Sequence, residues 1–259
     1  MNISLQQQIE AINAQGRIAR IPFITAGFPD LKEFFNVLYD LDGSGADIIE
    51  IGIPFSDPVA DGSVIEKASR KALLGGVSLR WLLSNLIDLN PRLQAGLVLM
   101  GYCNPFLQYG IERLASDANK AGVKGFIVPD LPLEEACDFR LALQSRAMDL
   151  IALVGPNTSL QRMQAYAEKA TGYVYVTSIL GTTGEQEDLP VKASITIERA
   201  RKAFNLPIAL GFGLQNAAQV EAMPIKPDAA IFGSALIKHL ENGGHAADFM
   251  KRWQWKDGL

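Results

Sequence analysis

Eight short runs of nearly unbroken apolar residues, rich in Ile, Val and Leu, recur along the chain and limit its fold more than any other feature. They fall at 21–27, 47–52, 96–102, 125–130, 150–155, 173–178, 207–213 and 229–234. A strand with one wet face alternates apolar and polar residues. These runs do not, which is the pattern of parallel strands covered on both faces. Helix-like stretches lie between them, at 31–41, 111–121, 133–147 and 160–170. Within 133–147 the residues Leu133, Ala136, Cys137, Phe139 and Leu143 gather mostly on one helical face. Strand–helix alternation repeated eight times in about 250 residues predicts an α/β fold, a TIM (β/α)8 barrel. A doubly wound open sheet is the alternative, but it normally uses fewer repeats over this length. An extra N-terminal helix is predicted over 5–14, with Ser4 as its N-cap and Gly16 near its end, placed to cover the bottom of the barrel. No linker, low-complexity segment or short-period repeat interrupts residues 1–259, so a single domain is expected.

Composition removes several function classes. Lys and Arg total 24 against 28 Asp and Glu, a net charge of −4 with no basic run, which argues against nucleic-acid binding. Cys103 and Cys137 are too few for a disulfide framework and fit a reducing compartment. No cationic start followed by an apolar stretch opens the chain, and no apolar run approaches the roughly 20 residues of a membrane span. A cytoplasmic protein acting on a small molecule, without membrane contact, is the expectation.

In barrel enzymes the reacting groups project from the C-terminal ends of the strands and the loops that follow. Glu50 ends the second run, and the turn-rich segment after it closes on a second acid, Asp61. A carboxyl set among Ile49, Ile51 and Phe23 has its charged form disfavoured, so it can trade protons near neutral pH. A second acid on a more solvated loop stays ionised, and one site then holds both an acid and a base. The bland reading is structural, with Asp61 capping a helix that begins near Gly62. Asp130 ends the fourth run and also qualifies. Tyr175 shares a strand face with Tyr173, where a tyrosine is as often packing as chemistry.

Anion-binding signals cluster late in the chain. The seventh run ends Gly211, Phe212, Gly213, and the eighth ends Phe232, Gly233, Ser234 before a helix-like stretch. Glycine lets backbone N–H groups approach an anion, and a helix N-terminus adds partial positive charge. Residues Gly181 to Gly184 add a third glycine-bearing loop. Any one of these loops could be a tight turn only; three together favour a phosphate. His239 and His245 lack partners at metal-ligand spacing, so no metal is expected. Cys103 lacks a histidine partner, and no lysine ends a predicted strand, which argues against thiol and Schiff-base chemistry.

Read together, IPFITAGFPD at 21–30, IEIGIPFSDPVADG at 49–62, GFIVPDLPLEE at 125–135, the 181–184 loop, GFGL at 211–214 and FGSALIK at 232–238 resemble the tryptophan synthase alpha chain family over nearly the whole chain. The resemblance implies retro-aldol cleavage of indole-3-glycerol phosphate to indole and glyceraldehyde 3-phosphate, with no metal or cofactor in this chain. It implies Glu50 as general acid/base, Asp61 as acceptor for the indole N–H, and Tyr175 as an active-site hydroxyl. Gly184, Gly213, Gly233 and Ser234 would hold the phosphate. Phe23, Met100, Ile127 and Phe212 would wall the indole, and Thr183 would close its loop by bonding to Asp61. A pyridoxal phosphate-dependent beta chain is the implied partner, in an α2β2 heterotetramer, with Pro54, Asp57 and Asn104-Pro105-Phe106 facing it.

The chain departs from the family pattern in places. Ser63 stands where proline is usual, Glu66 for glutamine, Lys71 for arginine and Thr182 for valine, while Gly155-Pro-Asn157 replaces Ala-Pro-Thr. Glu66 adds negative charge near Asp61 and is expected to shift the pH profile. Rival readings are a free-standing indole-releasing lyase, a non-catalytic activator of a beta enzyme, and, on fold alone, a phosphosugar isomerase.

Overall fold

A computed structural model describes residues 3–89, 91–177, 189–211 and 213–255, with backbone alone for 189–192. In chain order the elements are α1 (Leu5–Asn13), β1 (Ala19–Thr25), α2 (Glu33–Gly43), β2 (Ile48–Gly52), α3 (Ser63–Leu74), α4 (Leu79–Asp88), β3 (Gly96–Met100), α5 (Cys103–Tyr109), α6 (Ile111–Lys120) and β4 (Val123–Ile127). Then come α7 (Cys137–Gln144), β5 (Asp149–Leu150), β6 (Ala152–Val154), α8 (Leu160–Ala167), β7 (Val174–Thr177), α9 (Leu189–Ala203), β8 (Ile208–Gly211), α10 (Ala217–Glu221), β9 (Ala229–Phe232), α11 (Ser234–Glu241), α12 (Ala246–Met250) and a 3-10 turn, Lys251–Trp253.

Every strand pairing is parallel, and the order β5-β4-β3-β2-β1-β9-β8-β7-β6 returns the last strand to the first. The predicted fifth strand is broken at Ile151. Its first half pairs with β4 and its second half with β7. The Ile151 N–H donates to Phe126 O at 2.9 Å, so the two halves close the (β/α)8 barrel through one shared strand. Most strands stop one to three residues short of the predicted ends, because there the chain turns away into loops, as at Gly27 with φ +75°. The predicted helix at 133–147 starts only at Cys137, because Pro132 and Leu133 carbonyls accept i+3 turn bonds instead.

The N-terminal helix plugs the barrel bottom as expected. Ser4 and Gln7 form a reciprocal cap that starts α1. Leu5 and Ile9 are fully buried, and Gln8 Nε2 donates to the Asp47 carbonyl at 2.6 Å. A Cβ at Gly125 would stand 2.9 Å from a Leu5 methyl, so glycine within β4 admits the plug. Asp47, at the foot of β2, accepts both Arg17 guanidinium nitrogens at 2.8 and 2.9 Å and the Arg20 N–H at 2.7 Å. On the outer face Trp253 stacks on Phe232 with centroids 3.7 Å apart, and Trp255 Nε1 donates to Ile18 O at 2.7 Å. Among the described residues no helix is long and apolar enough to cross a membrane.

Candidate active site

Glu50 occupies the middle of β2 rather than its C-terminal end as the sequence suggests, because the strand runs on through Ile51 and Gly52; it is in register with Phe23 on β1 and Val98 on β3. It is fully buried, and among the described residues neither carboxyl oxygen has a hydrogen-bond partner. Burial, with a lesser contribution from the Asp61 charge, pushes its pKa up to about 8. At neutral pH the resting side chain therefore carries a proton. A buried acid with nothing to bond is costly, and its cost is what makes it a competent proton donor.

Asp61 lies in the loop after β2 and is largely but not wholly covered. Its Oδ1 accepts a hydrogen bond from the Tyr102 hydroxyl at 2.9 Å. That hydroxyl also accepts the Ala60 N–H at 2.9 Å, tying the loop to the end of β3. Burial raises the Asp61 pKa, the Tyr102 bond opposes the rise, and the Glu66 charge adds to it. The capping reading of Asp61 does not hold: α3 has Gly62 as its N-cap, with no side-chain bond to its first turn.

Tyr175 is buried on β7, beside Ala209 of β8 and Leu153 of β6. Its phenol pKa is held well above the ordinary value by burial, then by the Glu50 and Asp61 charges. Tyr173 feels Glu50 as well, as expected of two tyrosines on one strand face. Glu50, Asp61 and Tyr175, separate in sequence, therefore share one electrostatic neighbourhood at the upper barrel. Phe23 lies between glycines: a Cβ at Gly233 would stand 2.8 Å from its ring, and one at Gly52 would overlap it. Met100 pairs with Ile127 across β3 and β4, both buried.

Gly213 adopts φ +80°, open to glycine at little cost, and is exposed. Gly233 is the N-cap of α11 and Ser234 its exposed first residue, with no side-chain cap hydrogen bond among the described residues. The glycines at 211 and 233 thus answer packing demands as well, since a Cβ at Gly211 would overlap the Tyr175 ring. Thr183, Gly184 and Phe212 lie outside the described residues, as does Thr182.

Other expectations change. Asp130 is structural: its Oδ1 accepts the Cys103 N–H at 2.8 Å and so caps α5 from the neighbouring loop. Phe106 does not face outward; it is fully buried, edge-on to Phe126 with centroids 5.5 Å apart. Lys71 sits 5.4 Å over the Phe28 ring, while Glu66 and Ser63 are exposed on α3. Gly155 and Asn157 help line a cavity of about 530 Å³ beyond β6, which Glu50 does not line. Tyr102 closes the apolar run 96–102, where the pattern hides its hydroxyl. A hydroxyl-bearing aromatic at a strand's C-terminal end was the available signal, the same one that singled out Tyr175. Among the described residues no group of three His, Cys, Asp or Glu is placed to hold a metal ion.

The family model for the tryptophan synthase alpha chain matches residues 9–256. The tryptophan synthase alpha chain of Nitratidesulfovibrio vulgaris strain Hildenborough is 57% identical over 249 residues, covering 96% of this chain and 97% of that one. That of Desulfovibrio desulfuricans is 57% identical over 256 residues, covering 98% and 100%. Among solved structures, tryptophan synthase subunit alpha from Legionella pneumophila superposes with a TM-score of 0.83 at 31% identity, covering 95% and 93%. Tryptophan synthase from M. tuberculosis in its aminoacrylate-bound form gives 0.86 at 30% identity, covering 97% and 100%.

Proposed function

This chain belongs to the tryptophan synthase alpha chain family, and we infer from that premise that it cleaves indole-3-glycerol phosphate to indole and glyceraldehyde 3-phosphate. It is a carbon–carbon lyase of tryptophan biosynthesis that works with a beta chain, and the pyridoxal phosphate belongs to that partner. The observation that carries the reading of the site is Glu50: a fully buried carboxyl with no partner among the described residues, its pKa pushed up to about 8, within the field of a second acid.

The roles follow from those environments. Glu50 gives its proton to the indole carbon that bears the glycerol chain. The bond from that carbon to the side chain then breaks, and the carboxylate takes the proton of the adjacent side-chain hydroxyl as it becomes an aldehyde. The catalyst ends as it began. Asp61, ionised, accepts the indole N–H and offsets positive charge on the ring while the bond weakens. Tyr175 positions the acid or the substrate. Phe23, Met100 and Ile127, with Phe212, wall the indole. Gly213, Gly233 and Ser234, with Gly184, hold the phosphate, and the role given to Thr183 falls outside the described residues. Anchoring through the phosphate orients a bond the phosphate never touches. Positioned proton transfer supplies about 3–5 kcal/mol of barrier lowering.

The α2β2 arrangement is supported by apolar residues left uncovered beside the partner-facing positions: Val59 is 85% exposed and Leu107 54%. The reading also takes the chain as one domain, supported by the sheet in which β1 pairs with β9, and as a cytoplasmic protein. Indole release by the complex with its beta chain tests it. Glu50→Gln keeps the shape and removes the proton transfer, so turnover should fall about 10²–10⁴-fold. Unchanged turnover would show that Glu50 is not the acid.

A further inference from the structure

The Asp61 loop is held by one side chain from another strand. Among the described residues, Tyr102 is the hydroxyl that bonds Asp61, donating to Oδ1 at 2.9 Å while accepting the Ala60 N–H at 2.9 Å. Its ring is buried and packs on Phe55 with centroids 5.2 Å apart. Tyr102 is itself the N-cap residue of α5, and Asp130 holds the next N–H. The phenol is thus fixed from below by the end of β3 and from behind by α5. Its one proton points at one oxygen of Asp61.

We propose that Tyr102 is a positioning residue for the lyase reaction, its hydroxyl clamping Asp61 by one carboxylate oxygen so that the other stays available to the indole N–H. The proposal rests on the reading of Asp61 given above and deepens it. Without the clamp the carboxylate loses its fixed orientation and the Ala60 N–H loses its acceptor. Among the described residues, the loop between β2 and α3 then keeps the Phe55 ring contact with residue 102 but no side-chain hydrogen bond to it. The Tyr102 bond also lowers the Asp61 pKa, against the larger rise that burial produces. The groups around it act the other way: Glu66 on α3 raises its pKa, as does burial, and Glu50 on β2 and Tyr175 on β7 interact with the same carboxylate. Burial raises the Tyr102 pKa, Asp61 and more weakly the charge of Asp130, after β4, add to the rise, and the Ala60 N–H opposes it, so the phenol stays a donor.

The test measures kcat and KM for indole release by the complex with its beta chain across pH, for wild type, Tyr102→Phe and a protein carrying 3-fluorotyrosine at position 102. Removing a hydrogen bond to a charged group predicts a fall in kcat of about ten- to a hundredfold for Tyr102→Phe, with KM within about threefold of wild type. The acidic limb of kcat/KM moves to higher pH in that variant. The fluorinated phenol is a stronger donor and moves the limb to lower pH. Unmoved limbs and an undiminished kcat would overturn the proposal. If Tyr102→Phe does not fold, the fluorotyrosine protein decides alone, since its shape is kept. Asp61→Asn, run in parallel, separates the two levels. An inactive Asp61→Asn beside an unaffected Tyr102→Phe refutes the clamp only, whereas a fully active Asp61→Asn refutes the role of Asp61 and the clamp with it.

Discussion

Replacing Glu50 by glutamine tests the electrostatics of the site through stability, independently of turnover. The Glu50 carboxyl has an ordinary value near 4.5 when unfolded and is pushed up to about 8 in the folded chain. Between those values the native state binds more protons than the unfolded state, so stability falls as pH rises through the window and is level outside it. This is the reverse of a salt-bridged carboxylate. At about 1.4 kcal/mol per pKa unit, the group costs about 3 kcal/mol at pH 7 and about 5 kcal/mol by pH 9, with almost no cost near pH 4. Glutamine has the same shape and does not titrate. Urea unfolding followed by tryptophan fluorescence, repeated in steps from about pH 5 to about pH 9, should show Glu50→Gln gaining on wild type by several kcal/mol across that range. Adding Asp61→Asn to both proteins should narrow the gap, because the Asp61 charge is the lesser cause of the shift. A flat difference between the two proteins across the range would mean that Glu50 is solvated or paired, and the argument for a protonated resting acid would fail.

Three further outcomes follow from contacts elsewhere. Glu66→Gln removes a charge that raises the Asp61 pKa, so the acidic limb of kcat/KM should move to lower pH; a superimposable profile would dismiss the effect. Gly211→Ala places a methyl against the Tyr175 ring and should cost about 1–3 kcal/mol by overpacking, with activity lost. Thermal melts should show much of that cost relieved when Tyr175 is also cut back to alanine, and strict additivity of the two changes would argue against the contact. Leu5→Ala empties the plug at the barrel bottom and should cost about 2–5 kcal/mol in urea unfolding, whereas a change near zero would show α1 to be detachable.

What was legible in the sequence was what repetition and burial make local. Each strand of a closed parallel barrel is covered on both faces, so each reads as an apolar run without reference to its neighbours. The break at Ile151 leaves no such trace. It arises because one peptide bonds back to Phe126 while the residues after it pair with β7, and an apolar run looks the same either way. Helix starts were misplaced where a turn bond competed, as at Pro132 and Leu133. Glycine proved ambiguous in a different sense. Gly211 and Gly233 were read for a phosphate, yet Tyr175 and Phe23 demand them for packing, and residue type cannot separate two reasons for lacking a Cβ.

The acids divide along the same line. Glu50 was readable because burial between Ile49 and Ile51 is a property of its own strand, and burial alone is the larger cause of its raised pKa. Asp61 was readable as an acid in a loop but not as a held one. Its partner lies 41 residues away, on a strand end that any apolar pattern would count as core. An acid that must lose a proton reluctantly needs only concealment, which a sequence displays. An acid that must stay charged while half-covered needs a donor aimed at it, and that requires two strand ends to meet. The barrel supplies the meeting by setting β2 beside β3, so that the loop leaving one strand passes over the tyrosine two residues beyond the end of the other. Shifting β3 by one residue against β2 would leave Glu50 buried but turn the Tyr102 hydroxyl away from the loop. Register therefore governs the second acid far more than the first.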